Sequence, residues 1–102
     1  MCGFGAILGI KEAVDKDTLH DMSRVLAHRG PDDSGLWSDA RVGLCFRRLA
    51  IQDLSPAGHQ PMHSPCGRFV MVFNGEIYNF IELRDELEAK GYRFRSSGDT
   101  EV

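Results

Sequence analysis

The run Gly3 to Ile10, GFGAILGI, constrains this chain most: it is short, apolar and rich in glycine, and it begins almost at the first residue. Such a run predicts a buried strand whose backbone is closely approached by a neighbour. The segments that follow alternate in kind. Asp15 or Asp17 can cap a helix over Lys16 to His28, with Leu19, Met22, Val25 and Leu26 at helical spacing and Gly30-Pro31 as its stop. The run PDDSG, Pro31 to Gly35, has turn chemistry, and strands are predicted at Leu36 to Ser38 and at Val42 to Arg48, the latter extendable through Ile51. Ser55 to Gly67 holds three of the four prolines and predicts an irregular excursion. Phe69 to Phe73, FVMVF, carries the strongest strand signal and ends at the turn pair Asn74-Gly75. Asn79 with Glu82 matches a capping box for a helix over Phe80 to Lys90, with Phe80, Leu83 and Leu87 as its apolar stripe. Tyr92 to Arg95 predicts a strand, Ser96 to Asp99 a turn, and Thr100-Glu101 the start of a third helix. The mixture is an α+β pattern within one domain's length, 102 residues.

Charge and cysteine content narrow the function classes. Twelve Lys and Arg against fifteen Asp and Glu give a formal charge of -3, which offers no footprint for nucleic acid or an anionic membrane. No apolar stretch approaches the roughly 20 residues that span a bilayer, and no secretory signal is visible, so the expected compartment is the cytoplasm. Three cysteines then read as reduced thiols, with at least one available for chemistry.

Cys2 stands out because it follows the initiator Met. A small residue at position 2 favours removal of Met1, which would leave a thiol and a free α-amine on one residue. An α-amino group titrates near ~7.7 to 8.0 and a thiol near ~8.5, so the amine can take the thiol proton and no histidine base is required. The plain rival is an exposed early residue with no role. Asn74-Gly75 taken alone is a hairpin turn, and Arg48 or Asp99 taken alone is a surface charge. His59, His63 and Cys66 have ligand-like spacing, H-x₃-H-x₂-C, with Cys45 as an optional fourth; solvated side chains are the better reading, and no metal site is expected.

Five segments in order change the weighting: MCGFGAILG from Met1, HRGPDDSG from His28, RRLAIQDLSPAGHQPM from Arg47, FNGEIYNF from Phe73 and SGDTEV from Ser97. Together they resemble the class II, N-terminal-nucleophile glutamine amidotransferases, in particular the glutaminase domain of the asparagine synthetase branch. Phe73 before Asn74, and Leu49 after Arg47-Arg48, set the chain apart from the phosphosugar and phosphoribosyl branches, which typically have a histidine before Asn-Gly and Thr-Arg-Trp at the earlier segment. The resemblance implies that Cys2 attacks the side-chain amide of L-glutamine to form a thioester, with the Asn74 side chain and the Gly75 N–H as oxyanion donors. It implies that Arg48 clamps the substrate α-carboxylate, that Asp99 meets the α-ammonium with Glu76 as a second acceptor, and that Leu49, Ala50, Ile51 and Gln52 line the pocket chiefly through backbone. Cys45, Phe46 and Gln52 depart from the family's usual residues. The implied fold is a four-layer α/β/β/α sandwich of which 1–102 would be the N-terminal half, leaving strand edges open to a second copy or to the missing half. No cofactor is implied here; ATP and Mg, with the use of the ammonia to make asparagine from aspartate, belong to an absent synthetase domain. The rival reading is a truncated, non-catalytic fragment or interaction module of the same family.

Overall fold

A computed structural model describes all of residues 1–102. Strand β1 (Gly3–Leu8), helix α1 (Lys16–Val25), strands β2 (Asp33–Ser38), β3 (Val42–Arg48), β4 (Met62–His63) and β5 (Val70–Met71), and helix α2 (Phe80–Ala89) follow in chain order, with short 3₁₀ turns at Leu26–His28 and Pro56–Gly58. The architecture is α+β with two sheets, an antiparallel three-stranded one ordered β1-β3-β2 and an antiparallel pair β4-β5. No helix is long and apolar enough to cross a membrane.

Pairing register explains the core. Gly3, Gly5 and Ile7 of β1 lie on one face with Gly43, Cys45 and Arg47 of β3, and α1 covers that face. Leu19 of α1 is fully buried with Cys45, while Met22 and Leu26 approach the sheet at Gly5, where no side chain intervenes. Burying a leucine so completely contributes roughly 1.5–3 kcal/mol. Burial also pushes the Cys45 thiol up, so it stays protonated at neutral pH. Val25 does not join the stripe: it is 73% exposed, and Ser23 turns inward instead, its carbonyl and hydroxyl both accepting from the Arg47 Nε–H. Asp15, not Asp17, is the cap, accepting from the Asp17 and Thr18 amides.

Several predicted elements change. The first strand stops at Leu8 rather than Ile10, because the chain bends so tightly that a side chain at Gly9 would strike the Glu12 carbonyl. The α1 helix tightens into the 3₁₀ turn at Leu26, short of the predicted His28. Part of the predicted PDDSG turn is strand: Asp33, Ser34 and Gly35 pair with Arg48, Arg47 and Phe46, so the ladder overrides local turn preference. Phe69 to Phe73 yields only the two-residue β5, since its partner β4 is itself two residues long. The capping box is absent. Asn79 sits at φ -98°, ψ 29°, outside the extended conformation an N-cap needs, and its side chain makes no capping bond. Tyr92 to Arg95 is not a strand and Thr100-Glu101 is not a helix. Tyr92 closes the end of α2 through the Leu87 carbonyl, and the Glu101 carboxylate turns back to accept from the Arg95 and Ser96 amides and the Ser96 hydroxyl. Burial opposes ionisation of Glu101, yet the hydrogen bonds from Ser96 and Arg95 outweigh it and hold its carboxyl below the usual range.

Candidate active site

Where β1 begins, β3 ends and the 73–76 and 96–100 segments meet, the surface opens into a cleft of about 210 Å³. Its lining includes Cys2, Arg48, Leu49, Ile51, Gln52, Asn74, Gly75, Glu76 and Asp99, segments that are far apart in sequence. Ala50 is the exception among the singled-out residues. It faces an adjoining depression with Asp32, Asp33 and His59, and its amide donates to the Asp32 carboxylate at 2.9 Å.

Cys2 precedes β1, so the register that places Gly3 beside Arg47 also carries its thiol to the residues just past β3. The Leu49 N–H donates to Sγ at 3.2 Å, and the thiol in turn donates to the Leu49 carbonyl at 3.5 Å. Asn74 lies across the cleft with its Nδ2 donating to the Cys2 carbonyl at 3.0 Å. Gly75 is not held at a positive φ; a Cβ there would instead fall 2.8 Å from the Phe73 ring, which folds beneath it. Met1 is exposed at the cleft mouth, and its carbonyl accepts from the Arg29 Nε–H at 3.4 Å.

Arg48 is buried at the end of β3 and donates to the backbone carbonyls of Ser55 and Asp53. The 3₁₀ turn that follows these carbonyls passes so close that a Cβ at Gly58 would collide with the Arg48 guanidinium. Asp99, also buried, accepts from the Ile77 amide at 2.7 Å, tying the 97–102 turn to the segment before α2. Gln52 lines the cleft, and its side-chain Oε1 accepts from the Asp99 amide at 3.3 Å.

Four supporting residues escaped the reading of the sequence. Asp53 is buried and accepts from the Ser55 and Ser97 amides, each at 2.8 Å. Hydrogen bonding from Ser55, then from Ser97, holds its carboxyl well below the usual range. Arg84 of α2 donates to the Ser96 and Gly98 carbonyls and stacks over Phe94 at 4.5 Å, so α2 holds the turn that carries Asp99. Gly58 and Gln60 complete the set. Asp53, Gly58 and Gln60 all lie inside the segment from Arg47 to Met62, which was the available signal; nothing local marked Arg84. The proposed metal-ligand spacing gathers no cluster: His59 pairs with the Asp33 carboxylate at 2.7 Å, His63 meets the edge of Trp37, Cys66 lies beside the Ser64 hydroxyl and Cys45 is in the core.

The profile of a glutamine amidotransferase domain matches residues 1–102. The chain is similar to glutamine-hydrolysing asparagine synthetase 1 of Bacillus subtilis, 45% identical over 106 residues that take in 100% of this chain and 17% of that protein. It is likewise similar to the corresponding synthetase 1 of Arabidopsis thaliana, at 40% identity over 100% of this chain and 17% of that one. A probable asparagine synthetase of Schizosaccharomyces pombe is 39% identical over 100% of this chain and 18% of its own length. The chain thus spans about 17% of the length of the first relatives it matches.

Proposed function

Since this chain belongs to the glutamine amidotransferase family, we propose that it is the start of the glutaminase domain of an asparagine synthetase-type enzyme and hydrolyses L-glutamine to glutamate and ammonia. One observation carries the reading: the Cys2 thiol shares a single cleft with Arg48, Asn74 and Asp99, its sulfur already accepting a backbone N–H.

In this reading removal of Met1 frees the Cys2 amine, which takes the thiol proton. The sulfur attacks the side-chain carboxamide carbon, and the oxyanion that forms is met by an Asn74 Nδ2–H and the Gly75 N–H. The carbon–nitrogen bond breaks as the ammonium returns the proton to the leaving nitrogen, giving ammonia and a thioester. Water then adds to the thioester, the carbon–sulfur bond breaks, and glutamate leaves with the thiol restored. Arg48 has five N–H donors and commits two groups to the Ser55 and Asp53 carbonyls, so N–H bonds remain for the substrate α-carboxylate. Asp99 and Glu76 supply negative charge for the α-ammonium, and the backbone of Leu49, Ile51 and Gln52 closes the side.

The wider reading is that α1 and the three-stranded sheet form two layers of a four-layer sandwich completed by further strands, and that the ammonia passes to a synthetase domain that binds ATP and Mg and acts on aspartate. The relatives' names and the small share of their length matched here support that placement. A second reading, the same motifs without catalysis, draws support from the apolar side chains Phe4 and Leu8, which stay exposed on the sheet face opposite α1 although Phe46 on that face is buried. Glutamate release by the Met1-processed chain, measured against Cys2→Ala, separates the two. Release that depends on Cys2 is expected; equal rates would leave only the second.

A further inference from the structure

We propose that Gln60 is a positioning residue that aims the Asn74 and Gly75 donors, an inference that rests on the glutaminase reading. Gln60 is 4% exposed, and its carboxamide grips one peptide residue from both sides: Oε1 accepts from the Phe73 N–H at 2.7 Å, and Nε2 donates to the Phe73 carbonyl at 3.2 Å. The β4-β5 register explains why a side chain does this. Met62 faces Met71 and His63 faces Val70, so continuing the ladder outward puts Gln60 opposite Phe73. Since Ser64 and Phe69 are bonded through their backbone, Gln60 and Phe73 stand at the next hydrogen-bonding position beyond Met62 and Met71, and there the Gln60 side chain takes the place of the backbone as the rung. A side chain finishes the other end as well: the Ser64 amide donates to the Phe69 carbonyl at 3.0 Å while the Phe69 amide donates to Ser64 Oγ at 3.1 Å.

This rung transmits position. The Gln60 main chain lies against β2 so closely that a Cβ at Gly35 would fall 1.9 Å from its carbonyl oxygen, so Gln60 is referenced to the same sheet that carries Cys2. Phe73 precedes Asn74, whose Nδ2 donates to the Cys2 carbonyl, and the Phe73 ring underlies Gly75. One carboxamide bond holds the 72–73 peptide through its N–H and the other the 73–74 peptide through its C=O, so together they fix the backbone rotation at Phe73 and with it where Asn74 and Gly75 present their donors. Gln60 touches no reacting atom; it acts through Phe73.

Gln60→Leu removes the rung, and Gln60→Glu keeps the acceptor for the Phe73 amide while losing the donor to its carbonyl. For Gln60→Leu we expect kcat for glutamine hydrolysis to fall by about 10- to 100-fold with KM within about twofold, because misaimed donors weaken the transition state and not ground-state binding. Amide exchange at Phe73 should quicken by about tenfold, the worth of one hydrogen bond, while the α1 amides keep their protection and show the chain folded. For Gln60→Glu the ratio of its kcat to that of the unsubstituted chain should rise as pH falls toward the carboxyl range, since a protonated carboxyl can again donate to the Phe73 carbonyl. Retained kcat in Gln60→Leu, unchanged Phe73 exchange, or a flat Gln60→Glu ratio overturns the proposal. A rate in the unsubstituted chain equal to that of Cys2→Ala would instead sink the glutaminase reading itself, and this inference with it.

Discussion

Arg48 shows how much one buried cation depends on a neighbour with no side chain. Its guanidinium is fixed by two carbonyls of the turn that follows β3, and Gly58 leaves the only room for it there. Gly58→Ala should therefore push the guanidinium off its seat and raise KM for glutamine by roughly 10- to 100-fold, the worth of a charge-assisted hydrogen bond, with kcat less affected. Steady-state kinetics would check this, and an unchanged KM would separate Arg48 from the substrate carboxylate. Asp53, next to it, makes a pH prediction. Its carboxyl is held below the unfolded value of about 3.9, so its contribution to stability is fully present above that pH and is lost as pH falls through the lower, folded value. Urea midpoints measured down an acid series should fall less steeply for Asp53→Asn than for the unsubstituted chain; parallel curves would remove Asp53 from the acid response.

The two helices start differently despite similar sequence signals. Asp15 accepts from two backbone amides and from the Thr18 hydroxyl at 2.6 Å, whereas Asn79 caps nothing because the turn from Ile77 is already winding before it. Asp15→Ala is expected to lower the thermal midpoint and Asn79→Ala to leave it near the starting value, a contrast that calorimetry of the two variants would test. Local signals were thus sufficient for α1, where the cap is an aspartate in extended conformation, and insufficient for α2. Strands followed the same division. β1 and β3 were legible because apolar runs with glycine punctuation pair over most of their length, while Asp33 to Gly35 became strand only because Phe46, Arg47 and Arg48 stood ready to pair with them. FVMVF failed as a full strand for the converse reason: high strand propensity without a long partner gives a two-residue ladder.

At the scale of the molecule the chain is extended and thinly covered. Its radius of gyration is 14.7 Å, against roughly 13 Å for a compact domain of about this length. α1 covers one face of the three-stranded sheet, while Phe4, 48% exposed, and Leu8, 69% exposed, stand on the other with β1 as a free edge. The chain by itself should self-associate with rising concentration, and Leu8→Lys should shift it toward monomer in sedimentation velocity; the same monomeric mass for both chains would contradict this. The family, the nucleophile candidate and most residues of the cleft were determined by the order of five short segments, since their chemistry is carried by residue type and survives being read one position at a time. Tertiary structure alone decided that Ala50 turns away, that the Gln52 side chain reaches the Asp99 amide, and that Gln60, Asp53, Gly58 and Arg84 build the frame. These roles are made of hydrogen bonds to backbone groups of distant residues, and a backbone amide or carbonyl looks the same at every position until the fold brings a particular one within reach.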